Sequence, residues 1–401
     1  MDEILINYDE AKVPHYELPD PLIFEDGSPV ADANAWPARR AEILALFEQH
    51  IYGRVPVHGA AIAAGVTSVA EGVLGGLATR KEVTLRLTGN ASHLEIKLLI
   101  YIPQARASAV PLFLGLNFAG NHTVHTDPGI SVPTSWVPNY THLGIEDHRA
   151  RVESRGAASA RWAVEAILQR GYGLATVYCG DIDPDYDDGF SNGVHGLFPR
   201  DDRAGDGWGT IAGWAWGLSR ALDYLETDDA VDASRVAIMG HSRLGKAALW
   251  AGAVDSRFSL VISNNSGCGG AALSRREYGE TVKRINTAFP HWFCTNFKTY
   301  NDRVAALPVD QHELIALVAP RPVYVASAAE DLWADPRGEY LAAVTASPVY
   351  QLLGFEGLVD REIPETNRAV HTRVGYHIRA GGHNVTTYDW EQYLDFADRW
   401  L

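Results

Sequence analysis

The sequence predicts an α/β fold: a mostly parallel central sheet with helices on both faces, a three-layer sandwich. Three observations predict it. From about residue 111 onward, short apolar runs alternate with helical patterns, as buried parallel strands and their crossover helices do. Ahead of them, two apolar-alternating segments flank a turn cluster, so the sheet opens with an antiparallel hairpin. Finally, the run at 236–239 meets Gly240-His241-Ser242-Arg243-Leu244-Gly245 and then an alanine-rich helical pattern, which reads as strand, sharp turn, helix.

Residues 1–80 hold several prolines, Trp36 and one helical pattern over 39–50, and read as a strap and lead-in to a core at 81–401. The hairpin comprises 82–87 and 93–103 around the turn residues 88–92. Next come buried strands at 111–118 and 173–178, separated by a long loop and a helix over 158–169. A helix over 209–226 sets Trp214, Leu218, Ala221, Leu222 and Leu225 on one face and leads into the strand before Ser242. Strands at 258–263, 322–327 and 374–379 follow, and a helix over 388–401 ends the chain. No linker or repeat interrupts this order, so one domain over 1–401 is expected.

With 46% hydrophobic residues and 11 tryptophans, the chain can bury a large core. Its formal charge of −16 argues against nucleic acid and anionic membrane surfaces as partners, since no basic run exists to neutralise phosphates. No apolar run approaches the roughly 18 residues of a membrane span. Residues 1–7 lack a basic region followed by an apolar core. Three cysteines, Cys179, Cys268 and Cys294, are too few for a disulfide framework and lack metal-ligand spacing; one bridge, Cys268 to Cys294, stays open.

At the turn, small residues let the chain close tightly and lift the Ser242 hydroxyl above the sheet, at a helix N-terminus that favours developing negative charge. The bland reading is a glycine-rich connection capped by a serine. A serine hydroxyl is a poor nucleophile at neutral pH, so the catalytic reading requires a histidine base and an orienting carboxylate, in that fold's chain order nucleophile, acid, histidine. His383, on the glycine-rich turn after the last predicted strand, combines position, order and flanking glycines. Asp331 follows the strand at 322–327, and Glu330 and Asp335 beside it remain open as alternatives. Arg243 offers its backbone N–H and guanidinium to an oxyanion. Lys246, one helical turn beyond Ser242, reads equally as a substrate contact or a solubilising surface lysine.

No metal and no cofactor are expected. His122 and His125 lack a third ligand, and Asp181, Asp183 and Asp185 imitate a calcium loop whose sixth position is Tyr186 instead of glycine. A polar rim beside the site is the reading for that loop.

These residues resemble the glucuronoyl esterases of carbohydrate esterase family fifteen, an α/β-hydrolase family. The resemblance rests on Gly240-His241-Ser242-Arg243-Leu244-Gly245-Lys246, supported by Ser266-Gly267-Cys268-Gly269-Gly270, His291-Trp292-Phe293, Ala319-Pro320-Arg321-Pro322, Trp333-Ala334-Asp335-Pro336 and Gly382-His383. It implies hydrolysis of 4-O-methyl-D-glucuronic acid esters in glucuronoxylan, including those to lignin alcohols, through an acyl-enzyme. It further implies Ser242 as nucleophile, His383 as base, Arg243 as oxyanion residue, and Lys246, Glu280 and Trp333 as contacts to the glucuronoyl group. Many members place the acid just before the Ser-Gly pair, where this chain has Asn265; others place it at Asp331, which is the expectation here. Positions His241 and Asn384 resemble the bacterial branch. A monomer acting on a polysaccharide, secreted or periplasmic, is implied. Two alternatives stay open: an acetyl xylan or feruloyl-type esterase on the same scaffold, and a non-hydrolytic carbohydrate-binding descendant.

Overall fold

A computed structural model describes residues 5–56, 60–90, 92–199 and 204–401. Residues 1–4, read above for an export signal, and residue 91 of the predicted hairpin turn lie outside that description. Ten strands are described: β1 (Ala61–Gly72), β2 (Ala78–Gly89), β3 (Ser92–Pro103), β4 (Val110–Asn117), β5 (Gly173–Tyr178), β6 (Val231–His241), β7 (Leu260–Asn264), β8 (Val323–Ala328), β9 (Val370–His371) and β10 (Val374–Arg379). They form one sheet in the order β1-β2-β3-β5-β4-β6-β7-β8-β10-β9. From β5 to β10 the pairings are parallel; β1, β2 and β3 join antiparallel at one edge, and β9 at the other.

Apolar patterning explains the layers. β5, β7, β8 and β10 are buried at every residue, which is why they read as continuous apolar runs and not as alternation. Successive residues of β6 face opposite cores: Val236 and Ile238 pack with the helices Thr210–Leu225 and Arg243–Val254, whereas Ala237 and Met239 pack with Val164–Gln169 and Thr387–Trp400. Helices therefore cover both faces, as predicted.

The sheet begins inside the stretch read as lead-in. β1 has an alanine-, glycine- and serine-rich sequence and is largely exposed, so no apolar alternation announces it. The strap itself binds the body through backbone groups: Gly279 N–H donates to Asn7 O (2.9 Å), and His312 Nε2 lies 2.8 Å from Pro19 O. The helix expected over 158–169 is shorter, a 3₁₀ turn at Ser159–Arg161 followed by Val164–Gln169. Arg161 is committed elsewhere, since its carbonyl accepts from Trp390 Nε1 (2.8 Å) and its Nε donates to Asn384 Oδ1 (2.8 Å). Cys179, Cys268 and Cys294 are all buried and free, so the bridge left open between the latter two is not made.

One buried carboxyl lies under the sheet's carboxyl edge. Glu339, in the helix Pro336–Leu352, is fully buried and accepts from Ser327 Oγ (2.6 Å) and Gly267 N–H (3.0 Å). Burial, with the charge of Asp331 adding to it, outweighs those hydrogen bonds and pushes Glu339 up to about 8. A carboxyl raised above its unfolded value binds its proton more tightly in the native state. Its contribution is therefore full below the unfolded pKa of about 4.5 and is lost as pH rises through 8. Thermal unfolding should show Tm falling between pH 5 and 8, with a shallower fall in Glu339→Gln; parallel slopes for the two proteins would refute this.

Candidate active site

The turn after β6 sets Ser242 at φ 57°, ψ −132°, a strained conformation for a residue with a side chain. Two features sustain it. Ser242 N–H donates to Asn264 O at the end of β7 (2.9 Å). Gly240 lets the following helix close on the strand, because a Cβ there would sit 2.0 Å from Leu244 O. Arg243 then begins a 12-residue helix whose first amides have no intrahelical acceptor.

The two later strand ends supply the other expected groups. Asp331 lies three residues beyond β8 and His383 four beyond β10, and His383 Nδ1 is 2.6 Å from Asp331 Oδ2. The carboxylate is only 4% exposed while the imidazole is 40% exposed, so the acid is sheltered and the ring reaches the cleft. Of the alternative acids, Glu330 faces solvent, and Asp335 is buried in a pair with Arg276 (Nε to Oδ2, 2.8 Å) while capping Gly338 N–H. Asn265, the departure from the common pattern, donates from Nδ2 to Asp331 Oδ2 (2.7 Å). It thus fixes the same oxygen that His383 meets.

Ser242 and His383 line one cleft of about 220 Å³ together with Lys246, Glu280, Trp292 and Trp333. Among the described residues Ser242 Oγ has no hydrogen-bond partner; in unliganded sites the serine–imidazole contact is commonly loose and tightens with substrate. Lys246 Nζ donates to Cys268 O (2.5 Å) and Glu280 Oε2 (3.2 Å), so the lysine is buried in the cleft wall and the surface reading is discarded. Glu280 N–H in turn donates to Trp333 O (2.9 Å), an approach that Gly279 permits at φ 62°. Ammonium, carboxylate and indole therefore form one wall.

Arg243 lines the same cleft. Its Nη2 donates to Tyr140 Oη (2.8 Å), and its guanidinium lies 4.8 Å from the Phe118 ring centroid. Nε is 2.7 Å from Asp185 Oδ2 but its N–H does not aim at that oxygen, so the contact is an ion pair and not a hydrogen bond. Burial would raise the Asp185 carboxyl, but the charge of Arg243 and hydrogen bonds from His291 and Trp292 hold it below the usual carboxylate range.

The loop read as a polar rim does border the site, through Asp185. Its aspartates part company: Asp181 binds Ser135 Oγ (2.6 Å), Asp183 binds Thr210 Oγ1 (2.6 Å), and only Asp185 reaches Arg243. His122 and His125 also separate, to Ser154 (2.7 Å) and Glu165 (3.0 Å). No group of three or more metal-ligating side chains converges among the described residues. Sequence reasoning overlooked Trp292 and Phe289, whose stacked rings (3.7 Å between centroids) stand in the cleft; the His291-Trp292-Phe293 motif was the available signal.

A serine on a strained strand-to-helix turn, facing a histidine–carboxylate pair carried by later parallel strands, is the arrangement of an α/β-hydrolase. Comparison with known proteins narrows the class. The profile of fungal glucuronyl esterases matches residues 194–354. The chain is 52% identical to carbohydrate esterase MZ0003 of an unknown prokaryotic organism, across 98% of this chain and 91% of that one. It is 30% identical to 4-O-methyl-glucuronoyl methylesterase 1 of Wolfiporia cocos, across 86% and 74%. Among solved structures it is similar to a promiscuous CE15 esterase from a marine bacterial metagenome, with TM-score 0.93, 51% identity and coverage of 99% and 100%. The chain belongs to the glucuronoyl esterases, carbohydrate esterase family 15, and is a carboxylic-ester hydrolase.

Proposed function

We propose that the protein cleaves esters of 4-O-methyl-D-glucuronic acid, as found between glucuronoxylan and lignin-type alcohols, with Ser242 as nucleophile and His383 as base. The observation that carries this is the shared cleft: Ser242 and His383 face the wall made by Lys246, Glu280 and Trp333. Lysine and glutamate offer donors and acceptors to sugar hydroxyls, and an indole face packs on a pyranose ring.

Ser242 Oγ attacks the ester carbonyl while its proton passes to His383 Nε2, the nitrogen left free by the Asp331 contact at Nδ1. The amide and guanidinium of Arg243 stabilise the tetrahedral oxyanion. Collapse of that intermediate breaks the ester C–O bond, and the alcohol departs with the proton from His383. Water, activated by the same imidazole, then hydrolyses the acyl–Ser242 ester and frees glucuronate. The chain acts as a monomer with one hydrolase domain, and its polysaccharide substrate places it in a periplasmic or extracellular setting.

The test compares kcat/KM on benzyl glucuronate, acetylated xylan and feruloyl esters. A preference of ~10²-fold or more for the glucuronate ester is expected, because only that acyl group matches the buried polar wall. Lys246→Met should erase much of the preference by raising KM ~10-fold or more, leaving Glu280 without its cation. Equal or better turnover of acetyl or feruloyl esters would move the assignment to those activities, and no turnover of any ester would leave a binding protein.

A further inference from the structure

Neither residue of the buried pair Arg379–Asp389 enters the chemistry described above, yet together they hold the loop of His383 directly and reach the turn of Ser242 through Asn264. Arg379 ends β10, is 3% exposed, and uses all its nitrogens. Nε donates to Asp389 Oδ2 (2.7 Å), Nη1 to Ala380 O (2.9 Å), and Nη2 to Gly382 O (3.0 Å) and Asn384 O (2.5 Å). Three of its four acceptors are thus carbonyls of residues 380–384, the loop that presents His383. The loop's other anchors each hold a single atom: Glu330 N–H donates to Gly381 O (3.0 Å), Ala380 N–H to Asn367 Oδ1 (3.1 Å) and Arg161 Nε to Asn384 Oδ1 (2.8 Å), whereas Arg379 gathers three carbonyls at once.

Asp389 lies in the first turn of the C-terminal helix and is fully buried. Its Oδ2 also accepts from Thr386 N–H and Oγ1 (2.7 Å each), and its Oδ1 faces His377 Nε2 (3.0 Å) and accepts from Asn264 Nδ2 (3.1 Å). Asn264 is the residue whose carbonyl holds Ser242 N–H, and its Oδ1 lies 2.6 Å from His241 Nδ1, on a ring whose centroid is 4.5 Å from that of His383, at a tilt of 40°. One carboxylate is therefore tied through Arg379 to the histidine loop and through Asn264 to the serine turn.

We infer that Arg379 and Asp389 are positioning residues for the ester hydrolysis: they fix the loop of His383 against the turn of Ser242 without touching substrate. This rests on the reading of Ser242 and His383 as nucleophile and base. Reacting groups are sensitive to such placement, an error of about 1 Å costing ~10²-fold in rate. The sugar wall of Lys246, Glu280 and Trp333 shares none of these hydrogen bonds. A positioning role therefore lowers kcat and spares KM.

The test uses Arg379→Ala, Arg379→Lys and Asp389→Asn in the full chain, with Ser242→Ala and His383→Ala alongside. Arg379→Lys keeps one charge for Asp389 but cannot bridge three carbonyls, and it serves if the alanine variant fails to fold. For variants folded by circular dichroism, kcat on benzyl glucuronate should fall ~10–10²-fold with KM within about twofold. Low millimolar guanidinium should restore part of the Arg379→Ala rate, which a loss of stability alone would not allow. Folded Arg379→Lys and Asp389→Asn with kcat within about threefold of the parent, while Ser242→Ala and His383→Ala are inactive, would overturn the positioning role. Full activity in Ser242→Ala or His383→Ala would instead overturn the underlying reading of the site.

Discussion

Ser242→Ala should lower kcat on benzyl glucuronate by ~10⁴-fold or more, leaving only the rate that a bound water and the oxyanion donors sustain. The acyl-enzyme cannot form without Oγ, so no partial version of the two-step route survives. Substrate binding should persist, because Lys246, Glu280 and Trp333 are held in the cleft wall by contacts that do not involve the Ser242 hydroxyl. The fold should persist as well: alanine inherits the same φ of 57° at the turn, and the amide bond to Asn264 O is a backbone contact. Steady-state kinetics with a Tm measurement distinguish this from unfolding. A variant within tenfold of the parent rate would show that another group attacks the ester.

Asp331→Asn carries the second largest effect, a fall in kcat of ~10³–10⁴-fold. In the parent, one oxygen, Asp331 Oδ2, meets both His383 Nδ1 and Asn265 Nδ2. An amide at 331 loses the charge that stabilises the imidazolium. It also gives the ring a choice between facing an oxygen and facing an NH₂, and the second choice imposes the wrong tautomer. Glu330→Gln, on an exposed residue, should leave kcat unchanged. Asp335→Asn should cost stability instead of rate, since it breaks a buried pair with Arg276. If Glu330→Gln or Asp335→Asn matched the loss at Asp331, the acid would be misassigned.

Much of this was legible in the chain because the parallel strands are short, wholly buried and punctuated by turns; β5 through β8 and β10 need no tertiary information to be seen. β1 was hidden because an exposed antiparallel strand of small residues carries no hydrophobic signature. The two-residue β9 is too short to leave one. In the site, Ser242, Asp331 and His383 could be found because each follows a strand, a rule of order that sequence preserves. Asp185 was legible only as part of a polar rim and Trp292 only as part of a motif, since loops some 100 residues apart fold them, with Phe289, against Arg243 and the cleft. Asn265 is the instructive case. Taken alone it looks like a lost acid, and only the 2.7 Å contact to Asp331 sets its amide on the oxygen that meets His383.

Because β7 and β8 end side by side, Asn265 and Asp331, which follow them, meet beside one imidazole, the amide on the very oxygen that the ring meets. The negative charge beside the ring sits at one seat, and the neutral amide at the other adds a donor without adding a charge that would repel it.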